Sequence, residues 1–131
     1  MKETFTSLGI TKELSDALKE QHINTPTTVQ KQAIPAALKD RDLLVQAQTG
    51  TGKTLAFLLP VLQRIKKDTA GEQALLIAPT RELAEQIAAV AASLTPATGA
   101  DILSLIGGKT IENQLQKLHR RPQVVIGTPG R

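Results

Sequence analysis

The residues best suited to chemistry lie in one run, Ala47-Gln-Thr-Gly-Thr-Gly-Lys-Thr54. Gly50 and Gly52 can let backbone N–H groups turn inward around phosphate oxygens without Cβ clashes. Lys53 supplies a point charge for the outer phosphates of a nucleotide, and the Thr54 hydroxyl can ligate Mg²⁺. Ala47 stands where the general pattern places its first glycine. A second set of candidates follows. Thr80 and Thr128 sit where helix N-caps belong, and Pro129 suits a first helical position. Capping alone accounts for both threonines, yet a capped N-terminus at a strand's carboxyl end is also an anion site. Gly107-Gly108 reads either as a turn or as a place where a nucleic-acid backbone comes close.

The usual setting of a phosphate loop is between a strand and a helix, so the flanking elements matter. Leu43-Leu44-Val45 is a short apolar run that predicts a strand before the loop, and Leu55–Ile65 predicts an apolar helix after it, with Pro60 freeing the Ala56 carbonyl and kinking it. Three more apolar runs, Leu75–Ile77, Ile102–Ile106 and Val124–Ile126, predict further strands. Between them, Leu83, Ile87 and Val90, then Ile111, Leu115 and Leu118, recur at i, i+4, i+7 and predict helices. Upstream the reading is helical. Leu14, Ala17 and Leu18 share one face after Thr11 as N-cap, and a second helix from about Pro26-Thr27 carries Val29, Ala33 and Ile34 inward until Pro35 breaks or restarts it. Alternating strands and helices with near-continuous apolar strands specify an α/β fold: a parallel sheet covered by helices, binding ligands beyond the strands' carboxyl ends.

At 131 residues and 40% hydrophobic composition the chain has room for one domain with a real core. It contains no cysteine, which excludes disulfides and thiolate metal sites. No apolar run approaches the roughly 20 residues of a membrane span, and Met1–Ile10 lacks a signal-peptide core, so a cytoplasmic protein is expected. The net charge of +4 is unevenly placed. Residues 1–108 hold 11 Lys/Arg against 11 Asp/Glu, whereas Lys109, Lys117, Arg120, Arg121 and Arg131 face Glu112 alone. That excess reads either as a polyanion contact or as a solvated basic helix. With 2% aromatics a base-stacking platform is not expected, so a nucleic acid would be held by its backbone.

A loop reading Ala-x-Thr-Gly-Thr-Gly-Lys-Thr resembles motif I of the DEAD-box ATP-dependent RNA helicases, and further motifs of that family follow in order. Pro79-Thr-Arg-Glu-Leu-Ala84 with Gln86 is similar to motif Ia, Gly107-Gly108 to the glycine doublet and Thr128-Pro-Gly-Arg131 to motif Ib. Upstream, Pro26-Thr-Thr-Val-Gln30 resembles the core of the Q motif, and Phe5, 17 residues before His22, the family's isolated aromatic. The resemblance covers essentially the whole chain. It implies a RecA-like P-loop NTPase domain, with residues 1–40 as a Q-motif helical region and 41–131 as the P-loop core. It also implies ATP, Mg²⁺ and single-stranded or duplex RNA as ligands. Gln30 would read the adenine amino group and ring nitrogen; Thr27 would tie the Q motif to the loop; Phe5 would pack near the base. Ala47, Gln48, Thr49, Gly50, Thr51 and Gly52 would cradle phosphates with Lys53 and Thr54, the two residues with a catalytic role. Thr80, Arg81, Gly107, Gly108, Thr128, Pro129, Gly130 and Arg131 would line the RNA backbone.

Two departures qualify this. The family places glycine and then Phe or Tyr before the Q motif, the aromatic lying on adenine; here those places hold His22 and Ile23. Ile23 still offers an apolar surface, without a stacking contribution of about 0.5–1.5 kcal/mol. Moreover, no Asp-Glu-Ala-Asp sequence occurs, nor a Ser-Ala-Thr motif or second RecA-like domain. The chain therefore reads as the truncated N-terminal portion of an incomplete domain, expected not to hydrolyse ATP by itself. The rival readings are another P-loop ATPase, such as a DNA helicase or translocase, and a non-catalytic nucleotide- or RNA-binding fragment.

Overall fold

A strand exists only beside a partner, because its N–H and C=O groups need a neighbouring ladder. In the computed structural model of the chain, which describes residues 2–108 and 110–131, three of the four expected strands form among the described residues. They are β1 (Ala74–Ile77), β2 (Ile102–Leu105) and β3 (Val124–Gly127). The sheet is parallel throughout, in the order β1-β3-β2. Leu75, Val125 and Leu103 share one row across it, and Ile77, Gly127 and Leu105 another. The last strand in sequence is thus the central one. Its unbroken Val-Val-Ile run is buried at every position, as expected for a parallel strand flanked on both sides.

The fourth expected strand is a correction. Leu43-Leu44-Val45 forms no strand, and Leu44 is fully solvent-exposed. High apolar content could not by itself satisfy the backbone groups of a segment with no ladder beside it.

Contacts divide the chain into a unit ending at Arg64 and a unit running Ile65–Arg131. The phosphate loop falls in the first unit, together with the helical region of residues 1–40. That unit contains a 3₁₀ turn (Thr6–Leu8), α1 (Lys12–Glu20), α2 (Thr28–Ala37) and α3 (Lys53–Arg64). Phe5, Leu14, Leu18, Ile34, Leu58, Leu59 and Leu62 form its core. The Gln63 amide clasps the N-terminal turn, donating to the Gly9 carbonyl and accepting from the Thr11 N–H, both at 2.8 Å. Thr11 has N-cap backbone geometry, but its hydroxyl makes no capping bond. The expected break at Pro35 does not occur: α2 runs on to Ala37, and α3 likewise runs through Pro60.

In the second unit, α4 (Arg81–Thr98) packs on β2 and β3, while α5 (Ile111–His119) packs on β2. The two crossovers run in opposite directions across the sheet, so right-handed connections place α4 and α5 on opposite faces. The apolar stripe of α5 departs from simple expectation. Ile111 and Leu115 are exposed, and the buried position is Gln114, whose Nε2 donates to the Ile106 carbonyl at 2.8 Å. That bond fixes the helix's rotation. β1 is the uncovered edge, with Leu75 and Ile77 largely exposed. Among the described residues no helix is long and apolar enough to cross a membrane.

Candidate functional site

The loop of residues 47–52 leads directly into α3, so Lys53 and Thr54 occupy the first helical positions. Gly50 and Gly52 have φ of +84° and +91°, a backbone region that glycine adopts freely. The loop's polar groups are engaged within it. Lys53 Nζ donates to the Ala47 carbonyl at 2.6 Å, and Thr51 Oγ1 donates to the Gln48 carbonyl at 2.6 Å. Thr49 and Gln48 are exposed, whereas Ala47, Thr51, Gly52, Lys53 and Thr54 are half-buried.

Thr27 and Gln30 are brought against this loop. Thr27 caps α2 in a reciprocal capping box, in which the Gln30 N–H donates to Thr27 Oγ1 and the Thr27 N–H donates to Gln30 Oε1 at 2.9 Å. The other half of the Gln30 amide, Nε2, donates to the Gly52 carbonyl at 3.1 Å. A Cβ on Gly52 would collide with the Gln30 amide and lie 3.1 Å from Thr27 Oγ1. Gly52 is therefore needed both for its dihedral and for this close approach. Both ends of the Gln30 amide are engaged, yet each keeps one position for a further bond, the second Nε2 hydrogen and the second Oε1 lone pair. Phe5 is buried at the N-terminal turn, which packs on α2, and Ile23 is half-buried. His22 has φ +63°, just past the end of α1. A glycine would adopt that left-handed conformation without strain, which gives a backbone reason for the family's glycine at this place.

In the second unit the parallel strands deliver their carboxyl ends to one edge of the sheet. Thr80 follows β1, Gly107-Gly108 follow β2 and Thr128 follows β3, so positions far apart in sequence converge there. The Ala78 N–H donates to the Gly127 carbonyl at 2.9 Å, and the Thr128 N–H donates to the Leu105 carbonyl at 3.2 Å. Thr80 caps α4 through a bond from the Leu83 N–H at 3.2 Å, leaving Arg81 as the first helical residue. Thr128 caps no helix among the described residues; its carbonyl instead accepts from the Arg131 N–H across Pro129-Gly130. Gly107 is open, but a Cβ on Gly108 (φ +83°) would strike the Arg81 guanidinium. The space at Gly108 is thus used by a side chain of this protein.

Not every basic residue of the C-terminal stretch is equivalent. The Arg121 guanidinium packs on Gly71, whose N–H donates to the Arg121 carbonyl at 3.2 Å, an arrangement that serves the fold. Lys109 lies outside the described residues. Sequence reading missed Glu85, which pairs with Arg81 at 3.2 Å, although the i, i+4 spacing carries the signal. It also missed Gln63 and the buried Gln123, which accepts from the Asp101 N–H at 2.7 Å.

The family model described as DEAD/DEAH box helicase matches residues 27–131. The chain belongs to the DEAD/DEAH box helicase family. It is 45% identical, over all of its length, to a probable ATP-dependent RNA helicase of Mycoplasma pneumoniae, and spans 30% of that protein. Among solved structures it resembles a DEAD box protein from the hyperthermophile Methanococcus jannaschii, with TM-score 0.91, 34% identity and coverage of 98% of this chain and 35% of that one. It also resembles S. cerevisiae Dbp5 bound to RNA and ADP BeF3, with TM-score 0.86, 32% identity and coverage of 97% and 32%. The chain therefore spans about a third of the DEAD-box proteins it matches.

The DEAD-box assignment makes nucleotide use a family property and raises the question of a metal. Among the described residues no group of three or more His, Cys, Asp or Glu is placed to hold one. Thr54, half-buried at the start of α3, offers one hydroxyl beside the phosphate loop. The residues present thus fit a cation that arrives with a nucleotide's phosphates rather than a protein-built cage.

Proposed function

We propose that this chain is the nucleotide- and RNA-engaging front part of an ATP-dependent RNA helicase, with single-stranded or duplex RNA as the nucleic-acid partner and the cytoplasm as its setting. The observation that carries the proposal is the loop of residues 47–54, which opens α3 with two left-handed glycines and is backed by Thr27 and Gln30. Phosphates would be held by N–H groups of Ala47–Gly52 and the α3 N-terminus, with Lys53 moving from the Ala47 carbonyl to the outer phosphates. Mg²⁺, bound by phosphate oxygens, water and Thr54, would neutralise charge on the phosphates. Gln30 would select adenine, beside Phe5 and the apolar Ile23. The similarity to a structure bound to RNA and ADP BeF3 supports assigning Thr80, Arg81, Gly107, Gly108, Thr128, Pro129, Gly130 and Arg131 to the RNA backbone.

Phosphoryl transfer depends on positioning an attacking water and stabilising charge. No carboxylate in this chain is placed for either task by the family pattern, which favours binding without turnover as the behaviour of the chain alone. A titration with Mg²⁺ and a fluorescent ATP analogue should show binding that Lys53→Ala abolishes, while phosphate release stays at background with or without RNA. RNA-stimulated hydrolysis by the purified chain would overturn the catalytic half of this reading. The RNA half predicts that Arg81→Ala with Arg131→Ala flattens the dependence of log affinity on log salt by about one to two units, equally across sequences. Loss confined to one RNA sequence would contradict backbone recognition.

A further inference from the structure

The Arg81 side chain is constrained on two sides by groups with no assigned part in RNA binding through it. On one side, Nε donates to Glu85 Oε1 at 3.2 Å, one helical turn along α4. On the other, the guanidinium lies over Gly108, in the turn after β2; a Cβ there would come within 3.2 Å of Cζ and collide with Nη1. Arg81 and Glu85 are each about half exposed, so their ion pair adds little to stability. A guanidinium is a planar fork whose usefulness to a phosphate depends on its orientation, and its long stem otherwise samples many rotamers. Among the described residues the pair with Glu85 is the hydrogen bond this guanidinium makes, and it engages Nε rather than the terminal nitrogens.

We propose that Glu85 and Gly108 are positioning residues for Arg81: the carboxylate anchors one edge of the guanidinium, and the bare glycine supplies the surface on which it lies, presenting it to a phosphate of the RNA strand. This rests on the RNA reading above and reassigns Gly108, whose missing side chain serves RNA through Arg81 rather than by direct approach of the backbone. The role of Glu85 has a distinctive sign. As a mere surface carboxylate near RNA, it repels phosphate, and its neutralisation tightens binding. As an anchor, its conversion to an amide loosens the charge-assisted hold on the arginine and weakens binding despite removing a negative charge.

The test uses the whole chain and a fluorescein-labelled oligouridylate, followed by anisotropy at several salt concentrations. Arg81→Ala should weaken binding and lower the salt slope by about one phosphate's share. Glu85→Gln should weaken binding about threefold, the scale of re-immobilising one long side chain. Gly108→Ala should approach the Arg81→Ala loss, and the double variant should be no worse than Arg81→Ala alone. Gly108 is left-handed, so its variant is checked by thermal melting; if it fails to fold, the sign of the Glu85→Gln effect still decides. Tighter or unchanged binding by Glu85→Gln overturns the positioning role while leaving the RNA reading intact. No oligouridylate binding by the wild-type chain, or an Arg81→Ala variant with unaltered affinity and salt slope, overturns the RNA reading itself.

Discussion

Leu43-Leu44-Val45 and Val124-Val125-Ile126 are apolar triplets of similar character, yet the first is exposed and unpaired while the second is the buried centre of a sheet. Their difference lies in their neighbours. β3 has β1 on one side and β2 on the other, whereas no described strand lies alongside residues 43–45. The contrast extends to the units that contain them. In the first, the phosphate loop satisfies its polar groups internally through Lys53, Thr51 and Gln30. In the second, strand pairing sets Thr80, Gly107 and Thr128 at one sheet edge, where the Thr80 hydroxyl also caps α4. On the proposed reading, a ligand would displace the Lys53 bond in the first unit, whereas in the second it would meet groups already arranged.

The largest effect that would test this division comes from Lys53→Ala in the intact helicase, which should abolish hydrolysis while leaving RNA affinity in the absence of nucleotide nearly unchanged. Turnover near that of the wild type would overturn the role of the loop. A smaller effect compares the two triplets directly. Ile126→Ala should destabilise the second unit by about 2–5 kcal/mol in denaturant melts, and Leu44→Ala should shift stability by less than about 0.5 kcal/mol. Equal losses would mean that residues 43–45 are packed in solution. Gln30→Ala should cost about 1 kcal/mol through the lost capping box and reduce the preference for ATP over GTP. Unchanged nucleotide selectivity would leave Gln30 as a cap and a loop brace only. A change of opposite sign belongs to His22→Gly, expected to alter stability by about 0.5–1 kcal/mol in the stabilising direction by relieving the left-handed backbone. Clear destabilisation would show that the imidazole itself makes a contact that outweighs the strain.

Most of the element order was legible, because it depends on local patterns. The helix beginning at the phosphate loop, the start of α2 near Thr27, the cap Thr80 and three apolar strands were readable from spacing and residue type, whereas Thr11 makes no side-chain capping bond and Thr128 caps no helix among the described residues. Two of the failures involve a partner remote in sequence. Strand formation at 43–45 depends on a ladder that composition does not encode. The rotation of α5, which turns Ile111 and Leu115 outward, depends on a bond from Gln114 to the end of β2. Pro35 was read as a break because a missing N–H removes one helical bond, yet the rest of α2 stays helical. At the candidate site, residue types and positions were legible, but present occupancy was not. Nothing in the run Ala47–Thr54 indicates that its lysine turns back to the Ala47 carbonyl, or that the Gly108 surface holds an arginine.

On the nucleotide reading proposed above, the internal bonds of the phosphate loop would divide the cost of filling it unevenly. Lys53 aims its ammonium at the Ala47 carbonyl, so swinging it to an outer phosphate would give up that bond. The Gln30 brace on Gly52 carries no such cost, because the amide keeps a second N–H and a second lone pair for a base edge. The apparent affinity for a phosphate chain would be reduced by the fraction of molecules whose lysine is released, whereas the contact to the base would need no rearrangement of the loop.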